Sequence, residues 1–490
     1  MKLSNVTSSS AMDSPDVRRQ SGAERRSSES LTWNSHEDTT YDDFDLPKYI
    51  IDLSLPPVRR YQHVAADFKA QAAALPALFD DMVLGWKPHA HVNGIRKLAR
   101  LMLRRLHYKE EDEELRGISQ TTGIKMWLLV ALNVLLDLFM GCTSGAARVG
   151  EEQDGTRMLH FRTLDWGMDP LRKLIVQLDF IRKPGDNVIA SSITYVGYVG
   201  VLTGVRKGLS MSLNFRPNHD RSGRLANFRF YFHHLLVLLG YRPSISSILR
   251  QQLLPSQTSP HRAKVTTPTL ESIEQTLPST STTAAYLIFS DGDRTITMEK
   301  DHHTATVQSS GTFIVALNHD EAQEESVKSC VPNEQAVSQT LQATGGQDLG
   351  EDGVESKNMA LNDNEAEEKS SEMGTPKEPN LSGTLQATGM QDVIGYSLER
   401  KNMALKFWEE SSKMPVQDGS ESNIGHVTRD TLADWLITYP FTNEETHYAA
   451  IMDAKDGKVV WAERYLEPLE IFSSEETASQ VPETSAERAI

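Results

Sequence analysis

The sequence predicts an α+β chain, and three observations carry that expectation. Apolar residues recur at helical spacing through much of the stretch before residue 141. From Cys142 to about residue 320 the pattern changes to strands, broken by one helical stretch, and a further helix and two strands follow a polar interruption. The first strand is Lys48-Tyr49-Ile50-Ile51-Asp52-Leu53-Ser54-Leu55, ended by Pro56-Pro57 because proline cannot donate to a ladder. Helical patterning covers about 60–84 and 92–108. The acidic run Glu110-Glu111-Asp112-Glu113-Glu114 suits the positive end of a third helix, which Gly123 breaks before an apolar helix over 127–140.

Beyond Cys142 the expected strands are 158–161, 174–180, 188–205 and 208–215, with turns at Asp154-Gly155 and Lys183-Pro184-Gly185-Asp186. Residues 228–239 and 245–254 read as helices. Residues 284–289 and 294–299 form a hairpin about Asp291-Gly292, and Thr312-Phe313-Ile314-Val315-Ala316-Leu317 is a further strand ending at Asn318. After a polar stretch, a helix is expected over 428–438 and strands over 446–453 and 458–465.

The polar stretch contains a duplication. Thr340-Leu341-Gln342-Ala343-Thr344-Gly345 returns as Thr384-Leu385-Gln386-Ala387-Thr388-Gly389, and Lys357-Asn358-Met359-Ala360-Leu361 returns as Lys401-Asn402-Met403-Ala404-Leu405, both with an offset of 44 (384 − 340). Two polar units cannot stack into a solenoid core, so a lengthened loop is the better account. The expected organisation is a disordered tail over 1–45, a helical portion with an opening strand over 46–141, and a first core segment over 142–320. A disordered acidic insertion over 321–395, a second core segment over 396–472 and a disordered tail over 473–490 complete it.

Composition narrows the function. A net charge of −17 and a pI near 5.4 argue against a nucleic-acid partner, whose phosphates would be repelled. Two cysteines build no disulfide framework. No apolar signal-peptide core is visible near Met1, and the localisation stays unknown. The 127–140 run is short of the roughly 20 apolar residues that cross a bilayer, and Asn133 and Asp137 interrupt it. The pairs His89-x-His91, His233-His234 and His302-His303 lack metal-ligand spacing, so neither metal nor cofactor is expected. Asn5-Val6-Thr7 and Asn380-Leu381-Ser382 match the glycosylation pattern within segments expected to be disordered.

Cys142 is the residue with the most chemistry to offer. A lone cysteine after an apolar helix is ordinarily a small buried hydrophobe. Cutting the Gly141–Cys142 bond would change that by giving the residue an α-amine, whose pKa near 8 lets it serve as the base for its own thiol.

Several stretches together resemble the acid ceramidase and N-acylethanolamine acid amidase family, which are cysteine N-terminal nucleophile hydrolases. They are the opening strand with Leu55-Pro56-Pro57, Asn133 and Asp137 before the junction, Cys142-Thr143-Ser144, and Arg162-x-x-Asp165-x-Gly167. The glycine-rich run Gly197-Tyr198-Val199-Gly200-Val201-Leu202-Thr203-Gly204, then Ser212-Leu213-Asn214 and Leu317-Asn318-His319-Asp320, follow in the family's order. Three departures stand out: Phe215 where the family has an acidic residue, a longer loop after Asn318, and no secretory signal or disulfides.

The resemblance implies a four-layer αββα sandwich matured between Gly141 and Cys142 into an associated α/β heterodimer, residues 46–141 being the α-subunit-like portion. It implies hydrolysis of ceramide through a thioester on Cys142, with N-acylethanolamine or another N-acyl amide as the alternative substrate. Amides of the bile-salt or penicillin kind and a non-catalytic lipid-binding protein are further readings. By the resemblance, Arg162 would favour the thiolate, Asp165 would orient the α-ammonium, Asn318 would donate to the oxyanion, and Arg400 would be the second arginine. Arg162 with Asp165 also reads as an exposed turn ion pair, and Asn318 as a strand cap. A lipid amide substrate and transient contact with a membrane or micelle are the expected partners, with the apolar helices of 46–141 supplying the docking face.

Overall fold

The computed structural model describes residues 45–86, 91–135, 141–151, 155–220, 223–254, 267–322, 390–412 and 425–469. The two tails, most of the duplicated insertion, Asp137 and the Asn5 and Asn380 sequons lie outside the described residues.

Strand β1 (Lys48–Asp52) is followed by α1 (Pro57–Arg60), α2 (Gln62–Asp67), α3 (Lys69–Ala72) and α4 (Leu75–Trp86) where the pattern predicts one helix over 60–84. One break falls at Ala73-Ala74 and the other two at Tyr61 and Phe68, whose backbones leave helical geometry while their rings enter the core. Burying an aromatic ring is worth more here than an unbroken helical ladder. Next come α5 (Val92–Met102), α6 (Lys109–Thr122) and α7 (Met126–Leu135), with Gly123 at φ +83° ending α6 as its sequence position predicts.

The chain then runs through β2 (Gly141–Glu151), β3 (Gly155–Asp165), β4 (Ile175–Ile181), β5 (Ala190–Tyr195), β6 (Thr203–Arg206) and β7 (Leu209–Phe215). Helices α8 (Ala226–Leu238), α9 (Ile245–Leu253) and α10 (Leu270–Thr276) precede β8 (Ala285–Ser290), β9 (Thr295–Lys300), β10 (Ala305–Ser310) and β11 (Phe313–Ala316). Helices α11 (Met390–Ser412) and α12 (Arg429–Ile437) lead to β12 (Thr446–Asp453) and β13 (Lys458–Arg464). Neither α10, β10 nor α11 was expected from the sequence.

These strands form two sheets, ordered β1-β4-β5-β6-β7-β8-β9-β10 and β11-β2-β3-β12-β13. Among the described strand pairs only β1–β4 is parallel, and an isolated parallel bridge joins Val149 to Val427. Strict alternation in the smaller sheet decides what each face meets. Cys142, Leu164, Tyr448 and Ala450 join the core that holds Met211, Leu213 and Leu287 of the larger sheet. Ala147, Val149, Leu159, Phe161, Ala449 and Ile451 join Leu432, Trp435 and Leu436 of α12 and Ala404 of α11. Helices α6, α7 and α9 contribute Leu115, Leu129 and Leu249 to the larger core. The layers are therefore helix, sheet, sheet, helix, as the resemblance implies.

Two glycines of the 197–204 run explain its composition. Gly197 sits at φ +98° beside Leu129 of α7, and a Cβ on Gly200 would lie 2.7 Å from Ser246 Oγ at the start of α9. Asn133 ties α7 to the same loop, donating to Gly197 O and accepting from Val199 N–H, each at 2.8 Å.

Between the sheets runs a seam of buried polar pairs. His160 reaches Ser210 at 3.0 Å and Ser212 at 2.8 Å, Thr203 meets Tyr448 at 2.7 Å, and Tyr195 meets His447 at 2.8 Å. Burial pushes His160 down to about 3, so it is neutral at ordinary pH. A second buried network joins α6 to α9. Glu114 takes two hydrogen bonds from Arg250, at 2.6 and 2.8 Å, and a third from Arg60 at 3.0 Å.

Candidate active site

Hairpin geometry assembles the first three residues. In the β2–β3 register Gly141 faces Asp165, Cys142 faces Leu164 and Ser144 faces Arg162. Cys142 and Arg162 are thus diagonal neighbours on the inner face, and Asp165 stands beside the Gly141–Cys142 junction. Strand β11 flanks β2 on its other side, with Ala316 opposite Ser144, so Asn318 continues the chain toward Cys142. Arg400 arrives from α11. The structure brings all five residues together.

Cys142 and Arg162 are both fully buried. An Arg162 Nη2–H points at Cys142 Sγ across 3.2 Å, and Nη1–H donates to Leu202 O at 2.5 Å. Among the described residues Arg162 has no carboxylate within ion-pair distance, and its Nε has no partner. Burial pushes the Cys142 thiol up, against the opposing pull of Arg162. Arg162 pulls toward the thiolate through its charge and its hydrogen bond, and burial outweighs that pull.

Asp165 accepts from Arg400 Nη1–H at 2.5 Å and from Thr446 O–H at 2.8 Å. Burial raises its pKa, and the Arg400 charge opposes that rise. Asp165 is an inward, buried partner, so the exposed-turn ion pair considered from sequence does not apply.

Asn318 is 2 % exposed and faces Cys142 with its oxygen. Its Oδ1 accepts the Cys142 backbone N–H at 2.8 Å, while its Nδ2–H donates to Phe215 O at 2.8 Å. The expectation of an amide N–H aimed at the reacting centre thus meets a different arrangement in the uncut chain. A peptide nitrogen before cleavage is a donor and needs an acceptor, which the Asn318 oxygen supplies. Phe215 contributes its carbonyl, which any residue would offer.

Sequence reasoning missed other contributors. Thr446 anchors Asp165, Asn214 donates to Ala316 O at 2.9 Å while accepting from Ser144 O–H at 2.6 Å, and Ser397 contacts Asn318. Asn214 was visible only as one position of a resembling strand. Thr446 and Ser397 carry no local signal, because their roles arise from residues far away in sequence. Among the described residues no group of three or more His, Cys, Asp or Glu side chains could hold a metal ion. No described helix is long and apolar enough to cross a membrane.

Comparisons with known proteins point one way. Residues 44–107, nearly all in the portion read as α-subunit-like, match a family model described as the beta subunit of N-acylethanolamine-hydrolyzing acid amidase. Acid ceramidase of Mus musculus is 31% identical over 189 residues, spanning 35% of this chain and 46% of that protein. Acid ceramidase of Bos taurus is 30% identical over 195 residues, spanning 36% of this chain and 47% of that protein. The chain thus spans about half the length of the curated relatives it matches. Among solved structures, the Caenorhabditis elegans N-acylethanolamine-hydrolyzing acid amidase (NAAA) ortholog covers 64% of this chain and 93% of its own, at 17% identity and a TM-score of 0.36. On the ordered motifs and these sequence matches, the chain is similar to the acid ceramidase and N-acylethanolamine acid amidase family.

Proposed function

We propose that this chain is a self-processing lipid amidase that hydrolyses ceramide to a fatty acid and a sphingoid base after cutting its own Gly141–Cys142 bond. The observation that carries the reading is the Cys142 thiol, 3.2 Å from a buried guanidinium that no carboxylate neutralises among the described residues. In self-cleavage Sγ attacks the Gly141 carbonyl carbon, and the Cys142 nitrogen takes the thiol proton as the C–N bond breaks. Water then hydrolyses the thioester, leaving the Gly141 carboxylate and a cysteine with a free α-amine.

Turnover repeats the chemistry on a substrate amide. The α-amine removes the thiol proton, and the thiolate attacks the carbonyl carbon. The oxyanion takes a hydrogen bond from Asn318 Nδ2–H, which must exchange its bond to Phe215 O for this one. Loss of one such donor costs roughly 10²–10³ in rate. The α-ammonium, oriented by Asp165 and its partner Arg400, returns the proton to the departing amine. Water activated by the same α-amine releases the fatty acid from the thioester. The deep burial and raised pKa of Cys142 fit a precursor whose site is still closed.

The reading includes contact with an anionic lipid surface. Helix α8 and its N-terminal approach expose Leu225, Phe228, Tyr231, Phe232 and Leu235, and α5 exposes Leu98 and Leu101. Arg105 lies over the Tyr241 ring, joining the two regions. Segments 91–108 and 223–243 contain eight Arg and Lys and no Asp or Glu, in a chain of net charge −17. An apolar face flanked by cations, of which Arg96 is paired with Asp80, suits anionic headgroups. This face draws on α8, so it reaches beyond the helices of 46–141.

The test is intact-mass analysis together with release of acids from ceramide and N-acylethanolamine presented in neutral and anionic vesicles. Fragments 1–141 and 142–490 are expected, with faster turnover on anionic vesicles, and Cys142→Ala stays one inactive chain. A wild-type chain that remains uncut at acidic and neutral pH and releases no acid defeats the amidase reading and favours a lipid-binding protein. Preference within the panel decides between ceramide and the N-acylethanolamine named in the matched family model.

A further inference from the structure

Helix α11 brings two polar side chains to the site on one face, Arg400 and, three residues earlier, Ser397. Ser397 is fully buried. A buried hydroxyl in a helix costs stability unless it is hydrogen-bonded, and alanine would pack at such a position without that cost. Here Ser397 Oγ accepts the backbone N–H of Asn318 at 3.0 Å and lies 2.6 Å from His319 Nδ1. While accepting from the peptide, Oγ is free to give its own proton to Nδ1, an arrangement that would place the imidazole proton on Nε2.

We propose that Ser397 is a positioning residue for Asn318. It rests on the amidase reading, in which Asn318 first receives the Cys142 N–H and then serves the oxyanion. The Asn318 side chain meets the Cys142 N–H, Phe215 O and Arg400 Nη2, the last at 3.4 Å. In the amidase reading the bond to Phe215 O is the one exchanged for the oxyanion. Ser397 holds the backbone, so it can fix the residue while the side chain exchanges partners.

The duplicated unit gives independent support. At the offset of 44 (384 − 340), the first copy carries Gly353 where the second has Ser397, and Ser356 where the second has Arg400. The copy whose sequence includes the site arginine is also the copy that includes the hydroxyl.

Ser397→Ala and Ser397→Thr test the proposal. S397A is expected to lower both the self-cleavage rate and kcat by about 10–100-fold with KM unchanged, since a small misplacement near the chemistry acts on rate. S397T keeps the hydroxyl and should stay within a few-fold of wild type. Cleavage by S397A at the wild-type rate, or a loss in S397T as large as in S397A, overturns the proposal. Where circular dichroism finds S397A unfolded, Ser397→Cys, which keeps the volume and weakens the acceptor, takes its place.

The 15N resonances of the His319 ring supply a readout that needs no activity. Nδ1 should show an accepted hydrogen bond in wild type and lose it in S397A, and an unchanged Nδ1 signal overturns the clamp. If wild type never cleaves, the amidase reading falls, and this measurement alone decides whether Ser397 holds the Asn318–His319 corner.

Discussion

Arg250 and Arg162 are both removed from water, yet the fold treats them in opposite ways. Arg250 forms a two-pronged ion pair with Glu114 and donates again to Val199 O at 2.7 Å. Arg162 meets a carbonyl and a thiol, with Nε left over. A charge neutralised inside the fold joins α6 to α9 and is finished once folding ends. A charge with no carboxylate at ion-pair distance keeps its electrostatic work for a species that forms later, such as a thiolate.

The largest effect expected from this contrast is at Arg162. Arg162→Met should slow self-cleavage by about 10³-fold or more, in line with the loss of a preorganised charge. Its thermal stability should stay close to wild type, because an apolar chain replaces an unpaired buried charge. Arg162→Lys keeps the charge without the planar fork and should fall between the two. Mass spectrometry over time and thermal melts measure both, and an R162M that cleaves normally breaks the comparison.

Glu114 carries the converse expectation. Glu114→Ala strands Arg250, and partly Arg60, and should cost about 3–5 kcal/mol in denaturant unfolding. A stability change as small as that of R162M would mean that the α6–α9 network is no stronger than an unpaired arginine.

Glu111 sharpens the contrast with a pH dependence. Its Oε2 accepts from Ser247 O–H at 2.5 Å, Oε1 has no partner, and burial pushes it up to about 7 from 4.5. The folded state therefore binds a proton more tightly than the unfolded chain. The sign follows: this group costs stability at and above about pH 7, and stability rises as pH falls from there to about 4.5. Glu111→Gln should remove up to about 3 kcal/mol of that dependence, read as a flatter plot of unfolding free energy against pH. An unaltered slope would assign the dependence to other carboxyls.

How much of this was legible in the sequence depends on how each residue shows itself. Cys142, Arg162 and Asp165 lie on one hairpin, so local spacing already fixes their relation. Asn318 and Arg400 come from distant segments, and only the ordered resemblance pointed to them. Helix α11 was not read as a helix because Ser397 and Arg400 interrupt its inward face, which continues at helical spacing through Ala404, Phe407 and Trp408. Strand β10 was missed because Ala305–Ser310 is a half-exposed edge with few apolar residues. The breaks at Tyr61 and Phe68 follow from core packing that periodicity cannot register. Which atom Asn318 turns toward Cys142 depends on the covalent state of one bond, and no residue pattern encodes that.

The Ser397–Asn318 contact also bears on how the chain has grown. Asn318 precedes the first copy of the duplicated unit and Ser397 lies within the second, so the hydrogen bond between them joins the two ends of the stretch that the duplication lengthened. Doubling a flexible loop costs only about 0.6 kcal/mol once its ends are held. With the ends pinned by the site itself, length could be added between them without moving Asn318 or Arg400. The same position is where a foreign domain could be spliced in, with the catalytic corner serving as its mount.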